Sequence, residues 1–215
     1  MKSLLIISGW AHGKNSIEPI GDLFSSIFNV KLLSGAEALK NKNLPETDYI
    51  IGISMGGILA LDKFNQNCKK IVLISSSPCF CKKDKHSFGT DERIIKKMID
   101  KLSTSREEVI EEFFTNAHMP QKLKKTKQQK IMSYENLSEG LTYMKDTDLR
   151  KKIMKIKIPV LILHGSEDRI IPFSIAKWMH KKMSESTLEC FNSYGHMISV
   201  HAFDRVIKDI KNFLG

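Results

Sequence analysis

Residues 47–64, TDYIIGISMGGILALDKF, constrain this chain more than any other stretch. Residues 49–53 are rich in β-branched side chains and suit a short buried strand. Gly52-Ile53-Ser54-Met55-Gly56 follows, and Gly57-Ile58-Leu59-Ala60-Leu61 reads as the opening of a helix. A strand-to-helix turn with the G-x-S-x-G spelling holds its serine at the apex on strained backbone angles. A side chain at Gly52 or Gly56 would collide with the closely crossing strand and helix. The helix start aims free N–H groups and the positive end of its dipole at any charge forming beside Ser54.

A serine so placed becomes a nucleophile only with a base and an orienting acid. Both follow in the chain. Asp168 lies in Leu163-His164-Gly165-Ser166-Glu167-Asp168-Arg169-Ile170-Ile171-Pro172, and His196 lies in Tyr194-Gly195-His196-Met197. The order serine, acid, histidine is one of the recurrent triad orders. Glu167 is a rival to Asp168, and His201 is a rival to His196. Gly195 gives the loop freedom to aim the His196 ring, which favours His196 as the base. His12 and His164 lie near strand ends and read as structural or pocket-lining. The bland alternative is an inert Gly-rich turn at Ser54.

Taken in order, residues 4–7 form a first strand buried on both faces. It leads into Ser8-Gly9-Trp10-Ala11-His12-Gly13, at the strand end where ligands bind in open α/β sheets. Residues 16–28 predict a helix with Ile17, Ile20, Leu23, Phe24 and Ile27 on one face. Residues 28–33 predict a second strand, and residues 34–45 a connection with a helical turn or two around 37–40. After the elbow, residues 70–75 form the next strand.

From residue 78 the pattern turns helical. Asp91 caps a helix carrying Ile94, Ile95, Met98, Ile99 and Leu102. Ser105-Arg106-Glu107-Glu108 predicts a capping box opening a second helix. Residues 120–132 form a lysine- and glutamine-rich third stretch, and Leu137, Leu141 and Met144 mark a fourth. Residues 159–163 return to the sheet. A helix over 174–183, a strand near 187–191 and a closing helix over 202–214 follow. The expected class is α/β: a compact, mostly parallel sheet of about six strands. Residues 1–77 and 158–215 form the core, and residues 78–157 an inserted helical lid. Such a lid requires an apolar underside.

At 215 residues the chain suits one sizeable core, and its formal charge of +10 is uneven. Residues 118–157 carry eleven Lys and Arg against four Asp and Glu. That field suits an acidic partner. A solvated Lys-rich face is the plain alternative, and no nucleic-acid module or interleaved aromatic platform accompanies the lysines. No apolar run is long enough to span a membrane, and residues 3–8 lack the extended core of a signal peptide. The expected location is the cytoplasm, with the thiols of Cys68, Cys79, Cys81 and Cys190 reduced.

With these motifs located, the chain resembles the α/β-hydrolase superfamily, and more closely the pimeloyl-acyl carrier protein methyl ester esterases of biotin synthesis. Ser8-Gly9-Trp10 resembles that family's His-Gly-Trp oxyanion loop. Ser75-Ser76-Ser77-Pro78-Cys79-Phe80 resembles the entry to its lid, and Gly140-Leu141 through Lys145-Asp146-Thr147-Asp148-Leu149-Arg150 the exit. Gly195-His196-Met197-Ile198-Ser199-Val200-His201 resembles its histidine loop. The chain opens at what would be the family's third strand. It has Ser8 where histidine is expected, and Leu33-Ser34-Gly35-Ala36-Glu37 replaces the family's D-x-P-G-x-G segment.

The resemblance implies a serine esterase with Ser54 as nucleophile, His196 as base and Asp168 as orienting acid. The backbone N–H groups of Trp10 and Met55 would form the oxyanion hole. No metal or cofactor is implied. The implied substrate is a methyl ester on an acidic acyl carrier protein; the protein is expected to be a monomer binding neither nucleic acid nor membrane. In the resembled enzymes lid arginines contact the carrier, whereas this lid is lysine-rich and keeps charge without bidentate geometry. The other readings are an esterase or thioesterase for another acyl group, an idle binding protein on the same fold, and a basic protein for nucleic acid or anionic membrane.

Overall fold

The computed structural model describes residues 1–83, 89–122 and 132–215. Six strands form one sheet: β1 (Ser3–Ile7), β2 (Asn29–Leu33), β3 (Tyr49–Ile53), β4 (Lys70–Ile74), β5 (Val160–Gly165) and β6 (Ser186–Phe191). Their order is β2-β1-β3-β4-β5-β6, and every neighbouring pair is parallel. All the strand ends that precede ligand-binding loops therefore open on one edge of the sheet. The central strands are apolar on both faces, as helices on both sides require. Leu5, Ile7, Ile50, Ile71, Leu73 and Ile162 pack into one core layer, and Leu4, Ile6, Ile51, Val72, Ile74 and Leu163 into the other.

The helices are α1 (Glu18–Phe24), α2 (Gly35–Lys40), α3 (Met55–Lys63), α4 (Glu92–Leu102), α5 (Arg106–His118), α6 (Tyr134–Asp146), α7 (Arg150–Ile153), α8 (Phe173–Lys182), α9 (Ile198–His201) and α10 (Phe203–Leu214). Helix α1 is shorter than the apolar spacing predicts. Its buried face is Ile17, Ile20 and Phe24, while Leu23 and Ile27 are exposed. The chain leaves the helix after Phe24, so Ile27 never reaches the core side.

The cap expected at Ser105 differs because its groups have competing partners. At Ser105 no side-chain cap forms. Its N–H is already bonded to the Lys101 carbonyl at 2.8 Å, closing α4. Glu108 turns to Lys101 Nζ at 2.7 Å instead of reaching back. A complete capping box appears instead at Ser34 and Glu37, opening α2. It lies in the segment that departs from the resembled family's sequence.

Helices α4 to α7 all lie between β4 and β5. The expected third helix of this block falls largely on residues 123–131, outside the described residues, as do Lys124, Lys125, Lys127 and Lys130. Of the cysteines, Cys68, Cys79 and Cys81 are buried and all four are free. Burial pushes the Cys79 and Cys81 thiols up to about 11, which keeps them protonated and unreactive. Among the described residues no helix is long and apolar enough to cross a membrane.

Candidate active site

The site grows from the turn between β3 and α3. Ser54 sits there at φ 54° and ψ −119°, a conformation that L-residues rarely adopt. Its backbone is tied on both sides. The Ser54 N–H donates to the Ile74 carbonyl at 2.9 Å, and the Ser54 carbonyl accepts from Gly57 N–H at 2.9 Å, Ile58 N–H at 3.4 Å and Ser76 Oγ at 2.8 Å. The end of β4 and the residues that follow it thus brace the strained residue. A Cβ on Gly52 would stand 2.5 Å from Gly57 Cα, and one on Gly56 would stand 2.7 Å from the Ser8 carbonyl. Contacts this short with backbone exclude any side chain, as the sequence spacing predicts.

Strands β5 and β6 supply the two partners. His196 Nε2 lies 3.0 Å from Ser54 Oγ, and His196 Nδ1 lies 2.8 Å from Asp168 Oδ2. All three side chains are buried. Asp168 Oδ1 accepts the N–H groups of Ile170 and Ile171, each at 2.8 Å. Burial by itself would raise the Asp168 carboxyl. The facing His196, with hydrogen bonds from His164 and His196, outweighs it and holds the group well below the usual carboxylate range. Asp168 is therefore an anion pointed at Nδ1, which leaves Nε2 facing the serine hydroxyl. This arrangement can take a proton from Ser54 and return it to a leaving group.

The rivals lie outside this chain of contacts. Glu167 does not enter this chain of hydrogen bonds. His201 Nε2 instead meets His118 Nδ1 at 2.8 Å, away from Ser54. The reason for Gly195 is also different from the expectation. Its φ is not positive, so conformational freedom is not what the position requires. A Cβ there would run into the Met119 carbonyl, so the glycine lets the end of α5 approach the His196 loop.

The loop after β1 closes the other side. Gly9 is so near that a Cβ on it would stand 3.2 Å from Ser54 Cβ. Ser8 Oγ donates to the His12 carbonyl at 2.7 Å and accepts from Gly35 N–H at 3.2 Å, tying the loop to α2. Trp10 is buried, and its indole Nε1 donates to the Leu137 carbonyl of α6 at 2.9 Å. Its ring meets Phe113 of α5 edge to face at 4.9 Å, and the His12 ring meets Phe114 likewise at 4.9 Å. Met55 opens α3 and so carries one of the leading N–H groups that have no intrahelical acceptor.

Several contributors have no local sequence signal. Gln121 Nε2 donates to the Ser193 carbonyl at 2.6 Å, and its Oε1 accepts from Gly195 N–H at 3.2 Å. This bridges the end of the helical block to the His196 loop across more than 70 residues. Ser76 and His118 likewise act through tertiary contacts. His164, by contrast, could have been found, because it stands four residues before Asp168.

Known proteins support the same frame. A structure of an esterase from Exiguobacterium antarcticum superposes with a TM-score of 0.80 at 20% identity, covering 99% of this chain and 92% of that one. An AB hydrolase superfamily protein, YisY of Bacillus subtilis, is 31% identical over 163 residues, 70% of this chain and 60% of its own length. A pimeloyl-[acyl-carrier protein] methyl ester esterase of Wigglesworthia glossinidia brevipalpis is 33% identical over 143 residues, 61% of this chain and 55% of its own length. This chain thus spans under two thirds of either curated relative. The family model described as serine aminopeptidase, S33, matches residues 32–203, which include Ser54, Asp168 and His196. By that match and by its all-parallel six-stranded fold, the chain belongs to this family of α/β-hydrolases.

Proposed function

We propose that this protein is a serine carboxylic-ester hydrolase, and that its substrate is the methyl ester of a pimeloyl group carried on an acyl carrier protein. The observation that carries the catalytic half is the unbroken chain from Ser54 Oγ through His196 to Asp168, built on a strained turn. His196 takes the Ser54 proton as Oγ attacks the ester carbonyl carbon. The tetrahedral intermediate then collapses, and His196 protonates the departing methoxide oxygen, so that methanol leaves. Water repeats the sequence on the acyl-enzyme, releasing the free acid and restoring Ser54. Asp168 stabilises the imidazolium at each stage. The N–H groups of Met55 and Trp10 are the oxyanion donors in this reading, each worth roughly 3 kcal/mol in the transition state.

Helices α4 to α7 act as the lid in this reading, with residues 78–157 as its span. Phe113 and Phe114 over Trp10 and His12 supply the apolar underside that an acyl chain and water exclusion require. The substrate half rests on relatives bearing that name at 25% and 33% identity. The positive excess over residues 118–157 supports an acidic carrier as partner.

The test is methanol release from pimeloyl-carrier-protein methyl ester by the wild type and by Ser54→Ala, with a small synthetic ester in parallel. Ser54-dependent turnover much faster on the carried ester supports both halves. Turnover of the synthetic ester alone keeps the mechanism and discards the substrate, in favour of an esterase or thioesterase for another acyl group. No turnover and no labelling of Ser54 by a fluorophosphonate leaves a binding protein.

A further inference from the structure

One buried histidine has no part in the proton transfers above. His164 is the fifth residue of β5 and has no exposed surface. Its Nε2 lies 2.8 Å from the Ile171 carbonyl oxygen and 3.2 Å from Asp168 Oδ2. Both neighbours are acceptors, so the ring proton belongs on Nε2 and is shared between them. Its Nδ1 is buried without a hydrogen-bond partner among the described residues. With Ile170 N–H, Ile171 N–H and His196, this contact completes four donors around one carboxylate, the number its lone pairs accommodate. Ile171 is gripped twice, through its N–H by Asp168 and through its carbonyl by His164. Strand β5 thereby closes the 168–171 loop on itself.

We propose that His164 is a positioning residue that locks the plane of the Asp168 carboxylate, and through it the ring of His196. The proposal rests on the Ser54–His196–Asp168 reading above.

The competing role is space-filling, since the ring also lies against Phe173 at 6.1 Å between centroids. Two isosteres separate the roles. The terminal NH₂ of His164→Gln reaches where imidazole Nε2 stands. That of His164→Asn falls where Nδ1 stands, short of both acceptors. The experiment takes the full chain as wild type, His164→Gln, His164→Asn and His164→Phe. It measures kcat and KM for a short-chain p-nitrophenyl ester, and the His196 Nδ1–H resonance, hydrogen-bonded to Asp168, by NMR. For His164→Asn and His164→Phe, kcat falls about 10- to 100-fold with KM within about twofold, as for other groups that orient a reacting residue. In both, the His196 Nδ1–H resonance broadens or disappears as the ring is no longer held. His164→Gln keeps kcat within about threefold and retains the resonance.

Equal losses in His164→Gln and His164→Asn, or a His196 Nδ1–H resonance retained in His164→Asn, overturn the proposal. If His164→Phe does not fold, the Gln and Asn pair still decides. Absence of Ser54-dependent turnover in the wild type would count against the esterase reading instead, and the resonance would still test His164.

Discussion

The elbow and the helical block meet at Trp10, yet they are built to different tolerances. In the elbow the glycines face backbone: the absent Cβ of Gly52 would stand 2.5 Å from Gly57 Cα, and that of Gly56 2.7 Å from the Ser8 carbonyl. In the block, Gly140 faces side chains, 2.8 Å from Trp10 Cδ1 and 3.3 Å from Met55 Sδ. Backbone cannot give way without shifting the sheet, whereas a ring can tilt and a thioether can rotate. The elbow is therefore fixed by exclusion and the block by fit. In the esterase proposed above, that difference would keep the bond-breaking geometry constant and leave the acyl pocket adaptable.

The strongest test of the elbow is chemical. Ser54→Ala should lower turnover of any ester substrate by about 10⁴-fold or more while leaving the fold intact. Steady-state kinetics beside circular dichroism checks this, and substantial residual activity would move the chemistry elsewhere. Next comes the contrast of tolerances itself. Gly56→Ala should cost about 3 kcal/mol or more, and Gly140→Ala about 1 kcal/mol. Urea denaturation measures both, and equal losses would break the comparison.

A third test falls on the seam. His12 sits on the elbow side, against Phe114 of the block. Burial, then the facing His196 and His118, pull its pKa down to about 4 from an ordinary 6.5. The unfolded chain therefore binds the extra proton first. The stability tied to neutral His12 is complete above pH 6.5 and is lost as pH falls toward 4. His12 as a residue is only part-buried, which limits the effect to roughly 2 kcal/mol. Urea midpoints at pH 7 and pH 4.5 should separate less in His12→Asn than in the wild type; an unchanged separation rejects the assignment. The smallest effect concerns the bridge from the block to the His196 loop. Gln121→Ala should lower kcat about tenfold, with KM and melting temperature nearly unchanged, because it aims a loop rather than filling a core. A raised KM with constant kcat would assign Gln121 to substrate contact instead.

The same difference governs what the sequence could reveal. Gly52, Ser54 and Gly56 are legible because backbone exclusion writes itself into consecutive residues. Asp168 and His196 are legible through their order, since each must follow a strand of the same parallel sheet. The four central strands are legible because each carries a short apolar run, whereas the edge strands β2 and β6 mix polar and apolar residues and show a weaker signal. Tertiary partners are not. Ser105-x-x-Glu108 has the spelling of a capping box, but Lys101 claims both the Ser105 N–H, through its carbonyl, and the Glu108 carboxylate. Ile27 keeps helical spacing after its helix has ended. Gln121 has no pattern at all, because its partners lie 72 and 74 residues away. Gly195 is legible as special, but for packing against Met119 and not for freedom of its own backbone.

Trp10 offers an optical handle on the seam. The chain has two tryptophans, and Trp10 is the one with its indole N–H on the Leu137 carbonyl and its face against Phe113. In a Trp178→Phe background its emission would be blue while α6 is seated and would shift red as water reaches the indole. Stopped-flow fluorescence could then detect and time any unseating of α6 in the absence of an ester. Comparing such a rate with turnover would tell whether that motion or the bond sets the pace.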